Sequence, residues 1–247
     1  MQEQDFYPNA PIVEAIFDIQ VELPKGIGIA ELEAFCSTLS STYPEKKERS
    51  RFAGKFEIKD NKESSAESFN LGVEGFLNWS SDRKQVVQVR LDGFSFSRLK
   101  PYEKWNLHFA EFIKHFKLYC EKFSPVRIKR VTTRFINVIN LPRGDVNWTD
   151  YFINAARAPI PNVSVTNFFD RVEFAFPSSN IKAVVTHAIM QSNDPIKLPI
   201  VLDIETFMEM SADPDINMVE KIFQQLHGLK NQVFRESLTP KAKELFK

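Results

Sequence analysis

Between residues 12 and 23 apolar and polar side chains alternate. Val13, Ala15, Phe17, Ile19, Val21 and Leu23 are apolar, and Glu14, Asp18, Gln20 and Glu22 fall between them, with Ile12 and Ile16. A period of two predicts a strand with one face on a core and the other open. Pro24 and Gly26 end it, and residues 29–43 then follow an amphipathic helical pattern. A short strand is expected at 55–59, a polar loop at 61–69, and strands at 71–80 and 84–99 joined by the turn "SDRK". Trp105, Phe109, Phe112, Phe116, Tyr119 and Phe123, spaced 4, 3, 4, 3, 4, predict a helix with an aromatic stripe packed on the sheet. After Pro125 come a strand at 127–142, a short helix at 146–156 and a Pro-rich connection at 158–167. Strands at 168–176, 181–192 and 198–210 and a helix at 215–238 complete the chain.

Each half thus reads strand, helix, three strands, helix, and the residues repeat with the elements. At an offset of 118, Val13, Phe17, Leu23, Pro24 and Gly26 meet Val131, Phe135, Leu141, Pro142 and Gly144. At an offset of 111, Leu91, Asp92, Phe96, Asn106, Phe112, Leu118 and Phe123 meet Leu202, Asp203, Phe207, Asn217, Phe223, Leu229 and Phe234. The expected fold class is α+β: an internal duplication, residues 1–125 and 126–247, forming one compact unit. The two halves would share a largely antiparallel curved sheet with helices on one face and a pseudo-two-fold axis. That element order resembles the saddle of TATA-box-binding proteins, without any motif of that family. If the first strands of the halves meet at the axis, Glu14 and Asp18 lie near Arg134 on the open face, where an arginine fork can hold a carboxylate. Those residues, with Asn137, form the candidate binding site, or an ion-pair network tying the halves together.

Charge narrows the ligand. Lys plus Arg and Asp plus Glu number 32 each, so the net charge is zero and the usual footprint of a nucleic-acid binder is missing. Local basic clusters at 127–130 and at Lys46, Lys47, Arg49 and Arg51 keep nucleic acid as an alternative partner. The 23 Phe against 8 Gly point to thick aromatic cores. Cys36 and Cys120 are isolated thiols, as expected of a reduced, cytoplasmic chain. Neither a signal peptide nor a membrane span is expected.

The segments "YPNAPIVEAIFDI", "RFIN", "VLDIETF" and "LHGLKNQVFRESLTPKAKELF" together resemble a sporadically distributed, uncharacterised prokaryotic protein family. The matching positions are Pro11, Glu14, Ala15, Arg134, Phe135, Asn137, Leu202, Asp203, Leu226, His227, Asn231 and Phe234. The resemblance implies no activity; a patchy distribution implies carriage on mobile or defence-type gene islands.

Catalytic chemistry has little to stand on. Nucleotide-binding glycine loops, a G-x-S-x-G elbow and HExxH are all missing from the sequence. His108, His115, His187 and His227 read as structural, and no cofactor or metal site is expected. The remaining enzyme reading is a metal-dependent hydrolase or nuclease built on Asp203 and Glu205, which share a strand face; an E-x-K element at Glu57 and Lys59 has no sequence reason to converge with them. The leading expectation is a non-enzymatic interaction module whose sheet face takes a protein partner.

Overall fold

In the computed structural model, which describes residues 7–247 apart from 58–64, 145, 155–156, 158, 161–162 and 164, the first alternating stretch is β1 (Ile12–Glu22). Ala15, Phe17, Ile19 and Val21 are buried, while Glu14, Ile16, Asp18 and Gln20 are half-buried on the other face. There follow α1 (Ile29–Thr38), β2 (Glu45–Glu57), β3 (Ser65–Trp79), β4 (Gln85–Arg90), β5 (Gly93–Leu99) and α2 (Trp105–Phe123). The second half holds β6 (Arg127–Pro142), a 3-10 turn (Trp148–Asp150), β7 (Phe169–Phe176), β8 (Ile181–Ile189), β9 (Lys197–Ala212), α3 (Ile216–Ser237) and α4 (Pro240–Glu244).

All nine strands form one sheet in the order β2-β3-β4-β5-β1-β6-β9-β8-β7, with every neighbouring pair antiparallel. The protein is therefore α+β around a single large antiparallel sheet. β1 and β6 lie side by side at its centre, with Ile16 directly opposite Arg134. Among the described residues no helix is long and apolar enough to cross a membrane.

Four expectations change. The first half has four strands after its helix, because residues 84–99 turn back at Leu91–Asp92 so that Arg90 pairs with Gly93. Gly93 has no substitute there: a Cβ would lie 2.2 Å from the Ile19 carbonyl oxygen and 2.7 Å from an Arg90 guanidinium nitrogen. Of the strand expected at 55–59, residues 55–57 are the end of the 13-residue β2 and 58–59 lie outside the described residues. Of the loop expected at 61–69, residues 61–64 lie outside the described residues and 65–69 belong to β3. Of the helix expected at 146–156, residues 155–156 lie outside the described residues and the rest holds only a three-residue 3-10 turn, around which Trp148, Tyr151 and Phe152 pack with Leu202, Val233 and Phe246.

The helix-covered face holds the core. The α2 stripe buries Trp105, Phe109, Phe112, Phe116, Tyr119 and Phe123. Phe112 meets Phe223 of α3 edge-on at 4.9 Å, and both rings pack on Phe17. Each such ring contributes about 1.5–3 kcal/mol by leaving water. Helix ends follow local chemistry. Ser124 closes α2 in the left-handed region, and Pro125 prevents its continuation. Asp215 opens α3, its carboxylate accepting from the Asn217 and Met218 amides. Asp215→Ala is expected to cost about 1 kcal/mol, measured as a shift of the urea midpoint at unchanged slope.

The residue matches behave differently along the chain. Phe17 and Phe135, at offset 118, both face the helices. Phe112 and Phe223, at offset 111, face each other between the two long helices. Phe96 and Phe207, also at offset 111, do not correspond. Phe96 is in the core opposite Phe17, whereas Phe207 lies on the open face opposite Thr132. Face parity along the last strand of each half is thus out of step with the residue match.

Candidate functional site

Strand parity collects polar side chains on the face that the helices leave open. β1 contributes Glu14 and Asp18, β4 Arg90, β6 Arg130 and Arg134, and β9 Asp203 and Glu205. They pair in a fixed pattern. Arg134 forks onto Asp203, with Nε 2.9 and 3.0 Å from the two carboxylate oxygens and Nη2 2.6 Å from Oδ2. Arg130 reaches Glu205 at 2.6 Å and sits over the Phe207 ring, with Cζ 3.8 Å from its centroid. Arg90, which is 5% exposed, crosses the glycine-floored edge of β5 to hold Asp18 at 2.7 Å and Asp92 at 2.9 Å. Charge-assisted, two-point contacts of this kind fix geometry as well as adding stability.

Of the residues expected to meet, Arg134 and Asp18 do not pair. Arg134 is diagonal to Glu14, Asp18 and Asp203 in the register, since Glu14 and Asp203 both oppose Ile136 and Asp18 opposes Thr132. The diagonal toward β9 is the one taken, and Asp18 goes to Arg90 instead. These three arginine pairs therefore lie within each half; among the described residues the ion pairs that cross between the halves are Lys129–Glu22 at 3.2 Å and Lys117–Glu220 at 3.9 Å. Its hydrogen bonds to the Asp203 carboxylate raise the Arg134 pKa, burial opposes the rise, and the charges of Asp203, Glu205 and Glu14 add to it. Glu14 thus lies within the field of Arg134, yet among the described residues it makes no ion pair. Asn137 is on the opposite face from the rest of the expected site. Its odd position puts it with Thr133 and Phe135 under the helices, where Nδ2 donates to the Leu202 carbonyl at 2.9 Å. Arg90, the residue missed, has a signal in the sequence: in "VVQVR" it takes the polar parity with Gln88.

Other positions are structural in their contacts. Several residues that carry the family resemblance converge between α3 and the central strands. The Val138 amide donates to the Pro11 carbonyl at 2.9 Å, the Lys230 ammonium sits 3.8 Å above the Phe135 ring, and the His227 imidazole stacks on Trp105 with centroids 3.9 Å apart. Asn231 Nδ2 is 3.2 Å from His227 Nε2. His115 lies 2.9 Å from Glu111 and 3.1 Å from the Tyr43 hydroxyl, and His187 packs on the Phe152 ring. Burial pushes the Cys36 thiol up and that of Cys120 up to about 12, far from a reactive thiolate.

Most of the two basic clusters is ion-paired in place, while Arg51 and Arg127 make no ion pair among the described residues. Lys46 pairs with Glu33 at 2.5 Å, Lys47 with Glu45 at 3.2 Å, Arg49 with Glu74 at 2.8 Å and Lys129 with Glu22 at 3.2 Å. Asp203 and Glu205 do share a face, as a metal-binding reading needs, but each is engaged by an arginine. Among the described residues no three His, Cys, Asp or Glu side chains come together as a metal would require. Lys59 of the E-x-K element lies outside the described residues. Comparison with protein-family models and with curated proteins finds no match to the chain.

Proposed function

We propose that the open face of the sheet is a docking surface for a protein partner, centred on Glu14 and the Arg134–Asp203 pair. One observation carries this reading. Four carboxylates, Glu14, Asp18, Asp203 and Glu205, face three guanidinium groups, Arg90, Arg130 and Arg134, and Glu14 is the carboxylate left over. Nucleic acid gains affinity where unpaired cations release counterions from phosphates; here a phosphate would have to displace Asp203 or Glu205. A protein surface that brings a cation to Glu14 pairs the carboxylate that these arginines leave over and keeps the existing pairs intact. The surface is also built on strands, which hold side chains more rigidly than loops do.

The face belongs to two halves, residues 1–125 and 126–247, which we read as copies of one module about a pseudo-two-fold axis. The register supports this: Ile16 and Arg134 are 118 residues apart and also stand directly opposite each other, as an axis through that pair requires. The saddle-like shape of the sheet is part of the same reading.

Glu14→Gln separates a binding role from a structural one, because no ion pair among the described residues uses Glu14. The variant should keep the wild-type denaturation midpoint while a charge-assisted contact worth about 1.5–3 kcal/mol is lost from the complex, roughly tenfold or more in affinity. The measurement is affinity purification from the native host, with mass spectrometry and nucleic-acid staining, followed by titration of the purified partner. A stoichiometric protein that binds wild type and releases Glu14→Gln supports the assignment. A partner held equally by both proteins, or nucleic acid that leaves at moderate salt, overturns it.

A further inference from the structure

β7 forms one end of the sheet and pairs with β8 alone among the described residues. Its eight residues, "FDRVEFAF", are exposed or nearly so along their whole length. The register through β8 to β9 sets their faces. Arg171 and Glu173 align with Thr186 and Val184, and so with Asp203 and Glu205, on the open face. Val172 and Phe174 align with Val185 and Ala183, and so with Ile204 and Thr206, on the helix side. The helices pack over strands nearer the centre, so Val172 and Phe174 remain 48% and 37% exposed. Such a strand, with an unpaired backbone edge and an uncovered apolar side, is a template for another strand.

We infer that this edge pairs with β7 of a second copy of the chain, antiparallel about a two-fold axis through Val172. The charges select both the partner and the register. With the axis on Val172, Arg171 faces Glu173 of the other copy and Glu173 faces its Arg171, giving two opposite-charge pairs on the open face. On the helix side Val172 meets Val172, flanked diagonally by the two Phe174 rings. Moving the axis by one residue sets Arg171 on Arg171 or Glu173 on Glu173, which places like charges directly opposite. Arg171 makes no ion pair or hydrogen bond among the described residues, and the only pairing of Glu173 is a long one, 3.9 Å from Lys182. Both are therefore available to the other copy. The result is one sheet continuous through the dimer, with the two open faces on the same side. An eight-residue edge is a small interface, so the association belongs to the weak, concentration-dependent class.

The test is sedimentation equilibrium of the full chain across micromolar concentrations, with three variants. Wild type should approach twice the 28.6 kDa chain mass as concentration rises. Glu173→Arg, which sets four cations along the seam, should remain monomeric with an unchanged circular dichroism spectrum. The swap Arg171→Glu with Glu173→Arg should restore the dimer. Val172→Cys should cross-link under mild oxidation, because directly opposed antiparallel residues bring their Cα atoms to about 4.5–5.5 Å, within disulfide reach. This last variant carries the test by itself if Glu173→Arg fails to fold. A chain that stays monomeric throughout overturns the inference. So does a dimer indifferent to Glu173→Arg, a swap without rescue, or a Val172→Cys dimer that does not cross-link.

Discussion

Phe17→Ala is expected to destabilise the protein by about 3–5 kcal/mol, a large part of the stability of an ordinary domain. Phe17 is fully buried on the central strand β1. Its ring lies 5.0 Å from Trp105, 5.4 Å from Phe112, 6.1 Å from Phe96 and 6.1 Å from Phe223. Those neighbours come from the adjacent strand, from α2 and from α3, so one side chain joins the sheet to both long helices. They are large, flat and held by one another: Phe112 also packs on Phe94, Phe109, Phe116 and Phe223. A cluster of this kind collapses poorly into a hole, and the cost rises with the cavity that remains. Phe17→Leu, which keeps most of the volume, should lose only about 1–1.5 kcal/mol. Chemical denaturation gives both values from the midpoint at constant slope. A loss for alanine no greater than that for leucine would show that the two helices do not close on β1.

The same period-two pattern that marks Phe17 as core also marks the open polar face, and its limits are instructive. β1, β6, α2 and α3 were legible because each carries a long, clean periodicity. The β4–β5 hairpin was not, since its two-residue turn, Leu91–Asp92, lacks the central glycine of the usual hairpin signal; Gly93 comes one position later and serves close approach instead. Trp148, Tyr151 and Phe152 have the spacing of a helix, yet they cap the second hydrophobic cluster from a single turn. For the site, parity alone puts Glu14, Asp18, Arg134, Asp203 and Glu205 on one face. It also puts Asn137 on the other, beside Phe135, so that assignment was available from the sequence. What parity leaves open is which diagonal an arginine takes. Arg134 has three carboxylates at equivalent diagonal positions, and the choice of Asp203 depends on how the strands twist past one another. Arg90 was hidden by the unrecognised turn, because only the return of the chain at Leu91 brings it within reach of Asp18.

Acidification is expected to destabilise the protein from about pH 6.5 downward, with His227 contributing about 1.4 kcal/mol per pH unit. Burial first, and then the neighbouring Lys230 ammonium, lower the His227 pKa to about 3. The ring lies flat on Trp105, and the Asn231 amide nitrogen beside Nε2 donates best to an unprotonated imidazole. In the unfolded chain the same histidine titrates near its ordinary value of about 6.5. Between those two values the unfolded state binds a proton that the folded state refuses, so stability is full above about pH 6.5 and falls until about pH 3. From about pH 6.5 to about pH 4.5 this group alone removes about 2–3 kcal/mol. Burial lowers His108, His115 and His187 as well, each against a nearby carboxylate, Glu103, Glu111 and Asp170 respectively, which limits its share. All four act with the same sign, and the loss should be cooperative rather than confined to one segment. His227→Phe keeps a ring on Trp105 and cannot take up a proton. Its stability, measured by denaturant titration at a series of pH values, should therefore fall less steeply than wild type by close to one proton's worth over the same window. Parallel pH profiles for the two proteins would place the lost stability in other groups, and would mean that His227 is protonated in the folded state.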